Sequence, residues 1–277
     1  MANLPPLHLY QFSGLHGRSI LLLLLLALPL CLLVSAGYAY LDVYLPIGGF
    51  LTVFMVVGYV LGIGFTISLL GKFGKSRNPT ALKLMGVGIA AVSLYAAWAF
   101  FLHALFARNA TDVPSTLDFA LNPKLMWAAI ESVNETGWYT IKKMTPTGLV
   151  LWAFWSIEAL AVLGGAWYLA DSSIANEMFC EACDSWCPPG DMTYHEPTPE
   201  LLAAKTNSIS PLQLLALPAL PEKTIPAFRA ELVQCPGCKR AGVRYSRLRH
   251  EKNDKGELEE KTDAIPGILL PPGQASA

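Results

Sequence analysis

Four long apolar runs, separated by polar stretches, fill the first 171 residues, and the pattern then stops. The first, Ile20 to Tyr40 (ILLLLLLALPLCLLVSAGYAY), carries no charge. As a helix it covers the ~30 Å of hydrocarbon in a bilayer. Ser35, Ala36, Gly37 and Ala39 near its end would also suit a cleavable signal peptide. The run is longer than a signal core and continues toward Leu45, so it reads as an uncleaved anchor. The second run, Ile47 to Gly71, has Pro46 at its first turn, where a missing N–H costs least. It contains Gly58-Tyr-Val-Leu-Gly62, a GxxxG, followed by Gly64. Small residues on one face let a second helix come close, which matters in lipid because no hydrophobic force draws helices together. The expected neighbour is a helix of the same chain, with a homodimer seam as the alternative.

The third run, Thr80 to Ala107, has Asn78 as cap and Pro79 in its first turn, with Gly86, Gly88, Ala90 and Ala91 as a smooth strip. His103 near its far end reads as an interfacial hydrogen-bonding residue rather than a ligand. The polar residues 108–146 contain one helix, capped by Asn122 and started by Pro123, with Met126, Ile130 and Val133 on one face. Trp127, Trp138 and Tyr139 suit the headgroup layer, so this helix is expected over the bundle mouth or on the membrane surface. The fourth run, Thr147 to Ala170, is opened by Thr145-Pro146, and Glu158 is its only acid. The spans are placed at about 20–41, 47–71, 80–107 and 147–170.

Beyond residue 171 the periodicity changes. Glu200 to Leu217 clusters leucines around Pro211, and Pro218, Pro221 and Pro226 make the next stretch a rigid linker. Ala230 to Ala264 reads as a strand leading into Cys235-Pro-Gly-Cys238, then a hairpin turning at Asn253-Asp254-Lys255-Gly256. The end from Pro266 is rich in Pro and Gly and is expected to dock or fray. The division that follows is a four-helix membrane domain, residues 1–171, and a small extramembrane domain, residues 172–277.

Composition agrees with lipid. Of 277 residues, 53% are hydrophobic and only 15% charged, against about 25% charged in soluble domains. A net charge of −1 provides no global basic field for nucleic acid. The placement of charge gives orientation. The loop after the second run carries Lys72, Lys75, Arg77 and Lys83 without an acid, whereas residues 108–146 mix Arg108, Lys124, Lys142 and Lys143 with four acids. The short basic loop is therefore expected in the cytoplasm, with residues 108–146 outside and both termini cytoplasmic. Asp171, Glu177, Glu181 and Asp184, just after the fourth run, run against that assignment.

Five of the six cysteines follow the last run, and an odd number cannot pair fully within one chain. Cys180-x-x-Cys183 and Cys235-x-x-Cys238 each place two thiolates on one turn, the spacing that holds a metal ion from both sides. These two knuckles, the second followed by basic residues and a hairpin, resemble the zinc-ribbon family over roughly the last third of the chain. The resemblance implies a structural tetrathiolate zinc site, with iron the lesser alternative, in a small cytoplasmic zinc-ribbon-like β-hairpin domain. The insert between the knuckles is longer than in compact ribbons, and Cys187 is a possible further ligand. A ribbon so small would draw much of its folding energy from the metal.

A carboxyl in the bilayer core costs a few kcal/mol, so Glu158 is expected to face the bundle interior. Its expected role is a structural hydrogen bond to a neighbouring helix, through Ser93 or Thr66. The alternative is an ion pathway in a small transporter or channel-like subunit. A thiol-redox membrane protein is a third reading, set back because both CxxC pairs fall on the reducing side. The basic residues Lys239 to Lys252 are offset by Glu251, Glu257, Glu259, Glu260 and Asp263, which points to a solvated hairpin face and away from nucleic acid. No Walker loop, HExxH helix or GxSxG elbow occurs, so the chain is not expected to be an enzyme. The whole resembles a bacterial inner-membrane protein. Its expected function is a membrane-anchored scaffold or regulator whose metal domain binds a protein partner, with homo-oligomers allowed.

Overall fold

The computed structural model describes residues 8–45, 50–108, 110–140, 145–253 and 257–270. Pro46, Lys142, Lys143 and the turn residues Asp254, Lys255 and Gly256 lie outside that set. The chain divides into two compact units, residues 14–175 and residues 8–13 with the chain from Asn176 onward.

The first unit is helical. Its elements are α1 (Ser19–Tyr44), α2 (Phe50–Phe73), α3 (Pro79–Ala107), α4 (Thr116–Leu121), α5 (Pro123–Thr136) and α6 (Gly148–Leu169). Among the described residues, α1, α2, α3 and α6 are long and apolar enough to cross a membrane, as a membrane protein requires. Size is distributed inside-out relative to a soluble bundle. Ala27, Cys31, Ser35 and Ala39 form the buried stripe of α1, while Leu33 is 68% and Leu160 70% exposed. Lipid solvates the large side chains as well as the core would, so close approach through small residues decides which faces meet. In α1 a single π-turn, Leu23–Ala27, ends two residues before Pro29. Proline offers no N–H to the carbonyl four residues back and its ring crowds that group, which the wider turn accommodates.

Asn78 accepts from Ala81 N–H at 2.9 Å to cap α3, and Asn122 accepts from Leu125 N–H at 3.2 Å to cap α5. Both caps are at their expected positions. The fourth span agrees with its placement, since α6 runs Gly148–Leu169 with Thr147 at its N-cap and Ala170 at its C-cap. At one end of the bundle, residues 14–18 pair with the α2–α3 loop through Arg18 N–H to Gly74 O (2.7 Å) and Arg77 N–H to Leu15 O (2.8 Å). Lys83 meets Asp171 at 3.1 Å, and Ser68 Oγ meets Ser173 Oγ at 2.8 Å, at that end. At the other end, α5 buries Met126, Ile130 and Val133 in one cluster with Ala39, Val43 and Leu102, so it covers the bundle mouth. Trp98, Trp152 and Trp155 lock edge to face there, with centroids 4.8 and 5.3 Å apart.

The second unit is an antiparallel sheet. Among the described residues it has six strands in the order β1-β8-β7-β6-β4-β5, with a separate β2–β3 hairpin. The strands are β1 (His8–Leu9), β2 (Met178–Cys180), β3 (Ser185–Cys187), β4 (Pro189–His195), β5 (Ala219–Leu220), β6 (Ala227–Gln234), β7 (Ala241–Lys252) and β8 (Leu258–Leu269). The expected hairpin is β7–β8, and it belongs to the six-stranded sheet rather than standing alone. Phe228, Tyr245, Ile265 and Ile268 form its core with Ile209 and Leu214 of the leucine-rich stretch, which folds as α7 (Pro199–Ala203) and α8 (Pro211–Leu215). Arg247 fixes this layer, donating to Ala204 O at 2.7 Å and Leu202 O at 3.1 Å while pairing with Asp263 at 3.0 Å.

Two expectations are revised here. The unit has a hydrophobic core of its own, so its folding does not rest on a metal alone. The Pro218 to Pro226 stretch contains β5, paired with β4 at Tyr194↔Leu220. Of the two courses expected for the segment from Pro266, it docks through residue 269, where β8 pairs with β7 and with β1.

Candidate metal centre

Each knuckle closes a strand pair. The chain leaves β2 at Cys180, turns through Cys183 with Asp184 at φ +47°, and enters β3 at Ser185. The second leaves β6, passes Cys235-Pro236-Gly237-Cys238 with Lys239 at φ +59°, and enters β7. Cys235 N–H donates to Arg240 O at 2.8 Å and Lys239 N–H returns to Cys235 O at 3.1 Å, fixing the second turn.

These turns bring four sulfurs together. The Sγ atoms of Cys180, Cys183, Cys235 and Cys238 all lie within 4.8 Å of one another, and Cys180 and Cys238 are 3.5 Å apart. Four sulfurs at ~2.3 Å from one tetrahedral zinc would be separated by about 3.8 Å. The cluster therefore has the size of a metal site. Among the described residues, which include all six cysteines, there is no disulfide. Cys180 and Cys235 are buried, Cys183 is half-buried and Cys238 is exposed. Gly237 gives the room: a Cβ there would stand 2.9 Å from Cys183 Sγ and 3.9 Å from Cys235 Sγ.

The electrostatics suit a cation. Burial works to raise Cys235, but the N–H groups of Cys238 and Gly237, the Ser185 hydroxyl and the Cys180 thiol bring it down to about 6. Cys183 is pushed up to about 12, first through its hydrogen bond with Cys238 and then with Cys235, and burial raises Cys180. Cys235 is thus the thiol most ready to ionise, with Cys180 and Cys183 displaced the other way. A metal ion displaces the protons of the thiols that bind it, so affinity falls as pH falls. Cys187 lies outside the four-sulfur group, buried at the end of β3, with its thiol pushed up to about 11 by burial.

The other singled-out residues lie in the helical unit. A Cβ on Gly62 would stand 3.1 Å from Val34 Cγ1 of α1, and one on Gly58 would meet nothing within 4 Å. The α2–α6 approach uses different glycines: a Cβ on Gly64 would stand 2.5 Å from Leu169 Cδ1, and one on Gly165 would fall onto Val60 Cγ1. Glu158 is bonded to neither Ser93 nor Thr66. Thr66 turns back to Gly62 O at 2.6 Å, and the donor to Glu158 Oε1 is Tyr38 of α1 at 2.6 Å.

Sequence reasoning passed over Tyr38, Asp42 and Tyr59. A signal was present, since Cys31, Ser35, Tyr38 and Asp42 recur at spacings of four, three and four on one face of α1. His103 keeps its expected role, with Nδ1 2.9 Å from Pro114 O. Comparison with protein families, curated proteins and solved structures gives no match.

Proposed function

We propose that this chain is a membrane-anchored scaffold or regulatory protein of a bacterial inner membrane, whose zinc-bearing cytoplasmic domain binds a protein partner. The observation that carries the reading is the four-sulfur cluster within 4.8 Å. Four thiolates fill the tetrahedral shell of zinc and leave no position for substrate, the mark of a structural site. Such a centre fixes the β2–β3 hairpin against the β6–β7 turn and presents a defined surface. Zinc is preferred to iron because it fits a closed structural site without redox chemistry. The acid-free loop carrying Lys72, Lys75 and Arg77 supports a cytoplasmic placement of that bundle end and of both termini. The acidic segment after the fourth span weighs less than its sequence suggests, because Asp171 is paired with Lys83.

One experiment addresses side and partner together. A biotin ligase fused after Ala277 uses cytoplasmic ATP to label neighbouring proteins. The expected result is a recurrent labelled protein that disappears when Cys235 and Cys238 are both changed to Ser. No labelling at all contradicts the orientation, and the same labelled set with and without the cysteines contradicts a metal-dependent partner.

A further inference from the structure

The helical unit holds a second group of chemistry-bearing residues, independent of the cysteine cluster. Tyr38 of α1 donates to Glu158 of α6 at 2.6 Å. Its ring stacks on Tyr59 of α2 with centroids 4.5 Å apart, and Tyr59 Oη lies 3.0 Å from Ser35 Oγ. Ser35 in turn donates to Cys31 O at 2.8 Å. Asp42 stands one helical turn beyond Tyr38 on the same face of α1. Three helices thus contribute to one polar cluster inside an otherwise apolar bundle.

We propose that Glu158, with Tyr38 as its hydrogen-bond donor and Asp42 one turn away, is the binding site of one exchangeable proton within the bundle, loaded from the end covered by α4 and α5.

Depth supports this. Glu158 is ten residues into α6, counting from Gly148, which sets it ~15 Å along a span that crosses ~30 Å of hydrocarbon. Asp42 is two residues from the end of α1 at Tyr44, at the bundle end where α5 lies. The pair therefore runs from the mouth toward the membrane centre. Tyr139, between α5 and α6, marks the same path. Its phenol is pushed up by burial and then by the negative charges of Asp42 and Glu158, so all three share one electrostatic environment. Glu158, Tyr38 and Asp42 are each half-buried rather than sealed.

The neighbouring elements contribute unequally to the site. From α2 there is Tyr59. The ionisable residues of α3 are engaged elsewhere: Lys83 with Asp171, Tyr95 with Ala120 O, and His103 with Pro114 O. Arg108 follows α3 and donates to Val43 O at 3.3 Å, placing a cation at the mouth beside Asp42. When ionised, the Glu158 carboxylate accepts from Tyr38 and has an oxygen left to take a proton from a hydronium ion, which leaves as water. When protonated, it returns that proton to water, and no other bond changes. Carboxyls held inside membranes in reach of a polar path are the groups that serve proton movement.

The test is reaction of the full chain in lipid nanodiscs with dicyclohexylcarbodiimide, an apolar reagent that adds only to the protonated carboxyl. Sites are read by peptide mass, from about pH 5 to about pH 9, spanning the range of carboxyls displaced by burial. The expected result is labelling at Glu158 that falls roughly tenfold per pH unit above its midpoint, as one titrating group requires. Glu158→Gln shows no labelling there, and Asp42→Asn moves the profile along the pH axis. No labelling at Glu158, or the same rate at every pH, overturns the proposal, because the acid is then unreactive or permanently neutral. A profile untouched by Asp42→Asn removes Asp42 from the site.

Discussion

Changing Cys235 and Cys238 together to Ser is expected to abolish metal retention and open the segment from Met178 to Cys187 to protease, while the six-stranded sheet survives. The asymmetry follows from what holds each part. The sheet has its own buried layer of Phe228, Tyr245, Ile265 and Ile268. The β2–β3 hairpin has three pairings, and isolated two-stranded hairpins are marginal in water. Its other ties include Tyr10 Oη, which accepts from Phe179 N–H at 2.9 Å, Arg244, which donates to Asn176 O, and a small buried cluster of Met178, Cys180 and Cys187 with Val233 and Cys235. A metal ion bridging Cys180 and Cys183 to the second knuckle is the strongest restraint available to it. Limited proteolysis with mass mapping should show cleavage within 178–187 accelerating by about an order of magnitude, the local opening expected of a poorly anchored segment. Cys187→Ser should keep the metal, because its sulfur stands outside the four-sulfur group. Retention of metal by the double variant, or global unfolding of the sheet, contradicts the account.

Gly165→Leu should cost most of the folded membrane unit, and Gly58→Leu should cost little. A Cβ at 165 would already fall onto Val60 Cγ1, at a contact where α2 and α6 meet backbone to side chain. Both helices must separate to admit a leucine, and overpacking of this kind costs about 1–3 kcal/mol or more. Position 58 meets nothing within 4 Å, so a leucine there faces open space that lipid fills. Monodisperse yield and thermal midpoint in detergent measure the difference. Equal losses at the two positions contradict the packing described. A drop in solubilised mass for Gly58→Leu would instead assign that glycine to a seam between two copies.

The four spans were legible because apolar length is a property of composition, and lipid demands it of every crossing segment. Caps at Asn78 and Asn122 were legible because each rests on one side chain and the helix start beside it. Which glycines matter was not legible. The GxxxG at Gly58 and Gly62 is a local pattern, whereas Gly64 and Gly165 are selected by a partner helix about a hundred residues away in the chain. The partner of Glu158 was missed for the same reason: Tyr38 lies on a helix whose register against α6 no local rule gives. The knuckles were visible as spacing, and the fold supplied what spacing cannot, namely that the long insert returns as β4 and β5 on the edge of one sheet. The strand His8–Leu9 has no period to detect, since two residues on an edge carry no alternation.

Elemental analysis of the tag-free protein, paired with thiol alkylation in the native state, tests the metal centre most directly. The account predicts about one zinc per chain, the stoichiometry of a single tetrathiolate site. It also predicts that Cys180, Cys183, Cys235 and Cys238 resist alkylation until a chelator removes the metal. Protein that holds neither zinc nor iron, with those four cysteines alkylating freely while the sheet is folded, would contradict it.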